Sequence, residues 1–254
     1  MISSIKYIPG VFLLCLTLFS NAQVDVSKSP LFAPMIGPTF SFQVPGGDLA
    51  DRFGNNFTIG GTFMIKTKKN LLLGADGNFI FGDNLKNGES VLESISTEEG
   101  FVIDHYGSPA EISLYERGFH LQVKAGKLFN IIGPNPNSGL IITGGIGYLQ
   151  HKIRIENNEG SAPQVLGDYA KGYDKLSGGP AISEFIGYLH LGNKKLFNFF
   201  AGIELVQAWT KAQRSYDFNL MGKDKSKRFD TFFGAKIGWL VPLYQKVPDA
   251  YYYY

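Results

Sequence analysis

Phe232-Phe233-Gly234-Ala235-Lys236-Ile237-Gly238-Trp239-Leu240-Val241-Pro242-Leu243-Tyr244 repeats with a period of two. One set is Phe233, Ala235, Ile237, Trp239, Val241 and Leu243; the other contains Gly234, Lys236, Gly238 and Leu240. Successive side chains of a β-strand point to opposite faces. The segment is therefore a strand with one uncharged apolar face and one face of small residues and a lysine. A soluble ligand-binding barrel would keep its polar residues outside. A strand crossing lipid keeps charge off its outer face, where a midplane Lys or Arg costs ~2–4 kcal/mol.

Working back from this strand, taken as Phe229 to Tyr244, seven further segments alternate in the same way. They run from Leu31 to Val44, Asn56 to Lys66, Leu71 to Phe81, Ile112 to Phe129, Gly139 to Ile155, Ala181 to Leu191 and Phe197 to Arg214. Their outward sets include Phe57, Ile59 and Phe63 on the second strand, and Phe199, Ile203 and Leu205 on the seventh. Tyr148 and Trp209 share the outward parity, and Trp209 suits an interfacial girdle. The connections alternate between tight (Lys68-Lys69-Asn70, Asn130 to Ser138, Gly192 to Lys195) and long (Pro45 to Asn55, Gly82 to Glu111, Glu156 to Pro180, Ser215 to Arg228). Beyond residue 22 nothing approaches the apolar length of a membrane helix, so a spanning chain must close its strands into a ring that pairs every backbone group. The expectation is all-β: an eight-stranded antiparallel up-and-down transmembrane β-barrel over residues 23–244. Its short turns would be periplasmic, its long loops extracellular, and both termini periplasmic.

Composition agrees. Charged residues are 18% and aromatics 14% of 254 residues, with 31 glycines and a mean hydropathy of −0.03. Helical membrane proteins are strongly apolar on that scale, whereas alternating strands average to zero. Lys6, the apolar run Val11 to Phe19 and Ser20-Asn21-Ala22 before Gln23 read as a signal peptide over residues 1–22, the run being short for a membrane anchor. The one cysteine, Cys15, lies inside that run, so the mature chain has no thiol or Cys-based metal site. A net charge of +2 with no basic arm points away from nucleic acid.

The inward parity is rich in glycine (Gly37, Gly60, Gly74, Gly118, Gly126, Gly145, Gly202, Gly234), as a narrow filled barrel requires. Its polar members are Asp76, Asn78, His120, Gln122, Lys124, His151, Glu184, Tyr188, His190, Glu204 and Lys236. A turn centred near Lys194 sets Glu184 opposite Glu204, and level strand ends set Glu204 opposite Lys236. Glu184, Glu204 and Lys236 are thus expected in one interior layer. Such a layer is either a self-satisfied polar plug, the favoured reading, or a carboxylate pair able to do acid–base work. The four histidines lack metal-ligand spacing, and no nucleophile elbow, phosphate loop or zinc-protease motif occurs, so no catalytic residue, metal or cofactor is assigned. Ser90-Val91-Leu92-Glu93 has a capping-box pattern and predicts a short helix in the longest loop. Lys223, Lys225, Lys227 and Arg228 form a basic run, partly offset by Asp224 and Asp230, that either meets lipid A phosphates or is a solvated loop.

The eight alternating segments, closing on Phe232 to Tyr244, resemble small outer-membrane barrels of the OmpA/OmpX/OmpW type. The last strand is similar to the signal read by the barrel-assembly machine. The chain departs from the pattern by continuing to Tyr251-Tyr252-Tyr253-Tyr254. These tyrosines, on an aromatic periplasmic tail over residues 245–254, read equally as a partner-docking peptide or as a membrane-surface anchor. The Tyr/Asn/Gly-rich style is similar to that of Bacteroidota outer-membrane proteins. In that phylum the resemblance implies accessory barrels of secretion or barrel-assembly machines. The expected function is accordingly non-enzymatic: an accessory or structural subunit of a larger outer-membrane complex, in contact with lipopolysaccharide and partner proteins. A lipid A-modifying enzyme and a narrow channel or small-ligand binder are the alternatives.

Overall fold

The computed structural model describes residues 29–157, 160–192 and 197–243. The signal segment 1–22, the tail 245–254 with Tyr251 to Tyr254, and most of the turn expected at Gly192 to Lys195 lie outside them.

Eight long strands form the wall: β1 Ala33–Gly47, β2 Asn56–Lys66, β3 Leu71–Gly82, β4 Ile112–Phe129, β5 Gly139–Asn157, β6 Ser177–Leu191, β7 Asn198–Ala212 and β8 Lys227–Trp239. The chain of β8 resumes after Leu240 as the two-residue β9, Val241–Pro242, which pairs with the start of β1. Each strand is antiparallel to its sequence neighbours, and β8 pairs with β1, so the sheet has no free edge. This is the closed eight-stranded up-and-down ring that the alternation predicts.

The ring is staggered. Register partners lead from Gly37 through Thr62, Asp76, Gln122, Gly147, Ala181, Ala208 and Asp230 back to β1 at Gly47. That is ten residues along from the start (47 − 37). A stagger of this size on eight strands tilts them by roughly 40°. The vertical rise is then about 2.5 Å per residue.

Interior glycines follow from the narrow bore. A Cβ on Gly126 would fall 2.1 Å from the Ile142 carbonyl oxygen, and one on Gly202 would fall 2.2 Å from that of Ile186. The tight turn between β2 and β3 works because Asn70 accepts a left-handed backbone at φ 60, while Thr67 and Leu71 close it.

An apolar cluster lies at each end of the bore. Towards the tight turns, Met35, Leu72, Ile141, Phe185, Leu189 and Phe200 pack into a floor. Towards the long loops, Leu49, Phe53, Val91, Val165, Tyr173 and Phe232 join a roof that draws in loop residues. The segment Ser90 to Glu93 forms two 3₁₀ turns, Gly88–Val91 and Glu93–Ile95, and not an α-helix. Ser90 Oγ donates to the Asn87 carbonyl instead of capping, so the reciprocal capping-box bonds never form.

Candidate functional site

The outward positions form a belt with four residues per strand: alternate positions from Pro38 to Val44, Phe57 to Phe63, Ala75 to Phe81, Phe119 to Ala125, Ile142 to Tyr148, Pro180 to Ile186, Ala201 to Gln207 and Thr231 to Ile237. Glu184, Gln207 and Thr231 are the only residues among these that are not apolar, glycine, proline or aromatic. Trp239 stands exposed below the belt and Trp209 above it. Bulky exposed Phe40, Ile59, Phe79, Ile146 and Phe233 would be an aggregation hazard in water and are what lipid solvates. The belt makes this a transmembrane barrel.

Between roof and floor the bore is polar, in two storeys. The lower storey is a charged layer. Lys236 Nζ lies 2.8 Å from Glu204 Oε1 and 3.0 Å from Asp76 Oδ2. Lys124 Nζ lies 2.7 Å from Asp76 Oδ1. Gln122 Nε2 donates to Asp76 at 3.1 Å and to Glu204 at 3.2 Å, while Ser183 donates to Gln122 Oε1. Two carboxylates thus face two ammonium groups, joined by an amide that donates to both acids. Gly145 makes room: a Cβ there would sit 2.6 Å from both Gln122 Oε1 and Ser183 Oγ. A charge buried this deeply is tolerated only when paired and hydrogen-bonded in this way.

The upper storey lies below the roof. His151 Nε2 is 2.9 Å from Asp230 Oδ2, which also accepts from Thr210 Oγ1 at 2.5 Å. Asn56 donates to Glu116 Oε2 at 2.8 Å. The Phe53 ring meets His151 edge-on at 5.7 Å. Arg52 comes down from the first long loop. Burial pulls its guanidinium below the ordinary arginine range and Arg228 pulls the same way, while Asp230, Glu116 and Asp224 pull it back. Between the storeys Thr39 donates to Asn78 at 2.8 Å and His120 is buried.

Three residues were expected in one layer, and the structure brings two together. Glu204 and Lys236 meet, although in register Glu204 faces Gly234 and Lys236 faces Gly202. Glu184 does not join them. Phe185, not Glu184, is the register partner of Glu204, and Glu184 is exposed on the outer face, where Gln207 Nε2 donates to it at 3.1 and 3.4 Å. The slip is one residue, which reverses every side chain of β6. Tyr188 and His190 therefore also point outward, and His190 stacks on Phe199 with ring centroids 5.3 Å apart. The physical reason is the floor. Phe185, Leu189 and Leu191 are needed inside to close the bore, so the rule of polar in and apolar out fails on this strand. Asp76 takes the place assigned to Glu184.

Several interior residues were missed. Asp230 and Glu116 share inward parity with Lys236 and with Gln122, a signal that parity could have supplied. Asp230 is fully buried, where it pairs with His151 and Thr210. Arg52 comes from a loop and carries no periodic signal. In loop four Arg228 pairs with Asp224, leaving Lys223, Lys225 and Lys227 exposed.

No protein-family model matches the sequence, and no curated protein matches it either. Among solved structures the chain is similar to Neisserial surface protein A, at 10% identity over 81% of this chain and 96% of that one, with a TM-score of 0.41. It is similar to Ail, the attachment invasion locus protein of Yersinia pestis, at 8% identity over 83% and 99%, with a TM-score of 0.42. It is also similar to the outer membrane protein OprG of Pseudomonas aeruginosa, at 11% identity over 87% and 100%, with a TM-score of 0.41.

Proposed function

We propose that this chain is a non-enzymatic outer-membrane barrel that acts as an accessory or structural subunit of a larger membrane assembly, with both termini in the periplasm. One observation carries the reading: the bore is filled from floor to roof, so the surfaces left for function are the outer wall and the loops. The charged layer supports a structural role, because its acids are held by Lys124, Lys236 and Gln122 and lie between the two apolar clusters. The exposed Lys223, Lys225 and Lys227 support contact with the phosphates of lipopolysaccharide at the outer surface. The partners are protein subunits of the assembly, and the Tyr251 to Tyr254 tail is a second docking element.

The test is extraction in a mild detergent followed by native sizing and identification of what co-migrates. The expected result is a stoichiometric complex, lost in part when residues 245–254 are deleted from a barrel that still inserts. A barrel that migrates alone at every detergent concentration overturns the reading.

A further inference from the structure

We propose that the outer wall over β5 and β6, centred on Glu184 and Gly144, is a lateral docking site for a membrane-spanning segment of another protein that presents a lysine or arginine. The inference rests on the accessory-subunit reading and says where the partner binds.

Glu184 is the only charged residue among the belt positions. At about 2.5 Å of vertical rise per residue, it lies about 10 Å above the level of Tyr188 and about 10 Å below that of Pro180, near the middle of the membrane. Ile182 and Ile186 flank it along the strand, and Gly144 on β5 and Leu205 on β7 are its register partners. An ionisable group held there against lipid is unfavourable, and such groups ordinarily face a partner. Gln207 reaches it but brings no charge.

Beside Glu184 the wall is hollow. Leu73, Val123, Ala125, Gly144, Ile146 and Ile182 line a trough of about 680 Å³ on the outer surface. Gly144 lines the trough, and nothing inside the barrel requires a glycine there. A Cβ at Gly144 would meet only the Ser183 carbonyl oxygen, at 3.9 Å, whereas one at the adjacent Gly145 would collide at 2.6 Å. Close approach to another segment is what a small outward residue permits.

Charge selects the occupant. The belt positions offer no lysine or arginine, so a second copy of this chain cannot neutralise Glu184 at that level. Lipid phosphates carry the same sign as Glu184 and lie at the membrane surface. A partner segment with a basic side chain supplies both the shape and the counter-charge.

The experiment places a photoreactive residue at position 146, and at position 59 on the opposite wall as control, in the full-length protein in its native membrane. Complex formation is followed in Glu184→Leu, Glu184→Gln and Gly144→Leu variants, each checked for folding by heat-modified gel migration. The expected result is a cross-link from 146 but not 59 to a membrane segment containing Lys or Arg. The complex should fall at least tenfold in Glu184→Leu and Gly144→Leu, less in Glu184→Gln, with all three barrels folded. A cross-link to a second copy, or to a segment without a basic residue, overturns the proposal. If the complex survives unchanged in folded Gly144→Leu and Glu184→Leu barrels, this docking site is wrong while the accessory reading stands. A wild-type barrel without partner or cross-link overturns both.

Discussion

Lys236 reaches Asp76 across the interior, Nζ to Oδ2 at 3.0 Å, although their strands β8 and β3 are not neighbours in the ring. A contact across the bore ties opposite walls, which the hydrogen-bond ladder between adjacent strands cannot do. Lys236 is 1% exposed, so removing its charge leaves the buried Glu204 with no cation, beside an Asp76 that keeps only Lys124. Lys236→Met should destabilise the barrel by ~3–5 kcal/mol, read as a lower temperature for loss of the compact form on gels. Adding Glu204→Gln should recover part of that loss, because it removes one orphaned charge. An unchanged transition in Lys236→Met would eliminate the layer as a stabilising element.

Outside the wall the expectation reverses. Glu184→Leu removes a lipid-facing charge and breaks only the bonds from Gln207. In lipid vesicles without partners, the variant should be as stable as the wild type or more so. A clear loss in thermal stability would place Glu184 in a structural network that its position does not show.

The apolar floor predicts an electrically silent protein. Reconstituted in a planar bilayer, the wild type should give no stepwise conductance. Phe200 is 2% exposed and stacks edge-on against Phe185, with ring centroids 5.6 Å apart. Phe200→Ala should cost ~3–5 kcal/mol and hollow the floor. Regular single-channel steps from the wild-type barrel would contradict the closed bore.

Neighbouring glycines give a sharp contrast. Gly126→Val should block folding, since its Cβ would lie 2.1 Å from a backbone oxygen that cannot move without breaking the ladder. Gly144→Ala should fold as the wild type. The ratio of folded to unfolded band intensity after refolding into detergent micelles checks both.

Loop four should loosen in acid. Burial raises the Asp224 carboxyl, but the bond from Arg228 and those from Ser226 outweigh it and bring the pKa to about 2, below its ordinary 3.8. A carboxyl depressed in the folded state contributes stability that is complete above about pH 4 and fades as pH falls through 2. The Ser226 amide donates to Asp224 Oδ1 at 2.8 Å, so its hydrogen-exchange protection factor should drop over that interval. Asp224→Asn should abolish the pH dependence, and a flat profile in the wild type would refute this account.

The strands were legible because period two, glycine spacing and turn chemistry are local signals. Segment ends agree with the observed strands to within a few residues on most strands, and Asn56–Lys66 and Ile112–Phe129 agree at both ends. The interior was half legible. Parity on β3, β4, β7 and β8 put Asp76, Gln122, Lys124, Glu204 and Lys236 inside. It failed on β6, where Glu184, Tyr188 and His190 alternate with Phe185, Leu189 and Leu191 and either face could turn inward.

Sequence by itself determined that this chain makes eight alternating strands that close into a ring, because each strand carries its own two-sided pattern and a membrane leaves no edge unpaired. Tertiary structure alone decided which side of β6 meets lipid. That choice depends on one residue of register against β7, and the register is set by how Phe185, Phe200 and Leu189 fill the floor together. It also decided the partners of Lys236, since a contact across the bore joins residues that no local pattern relates.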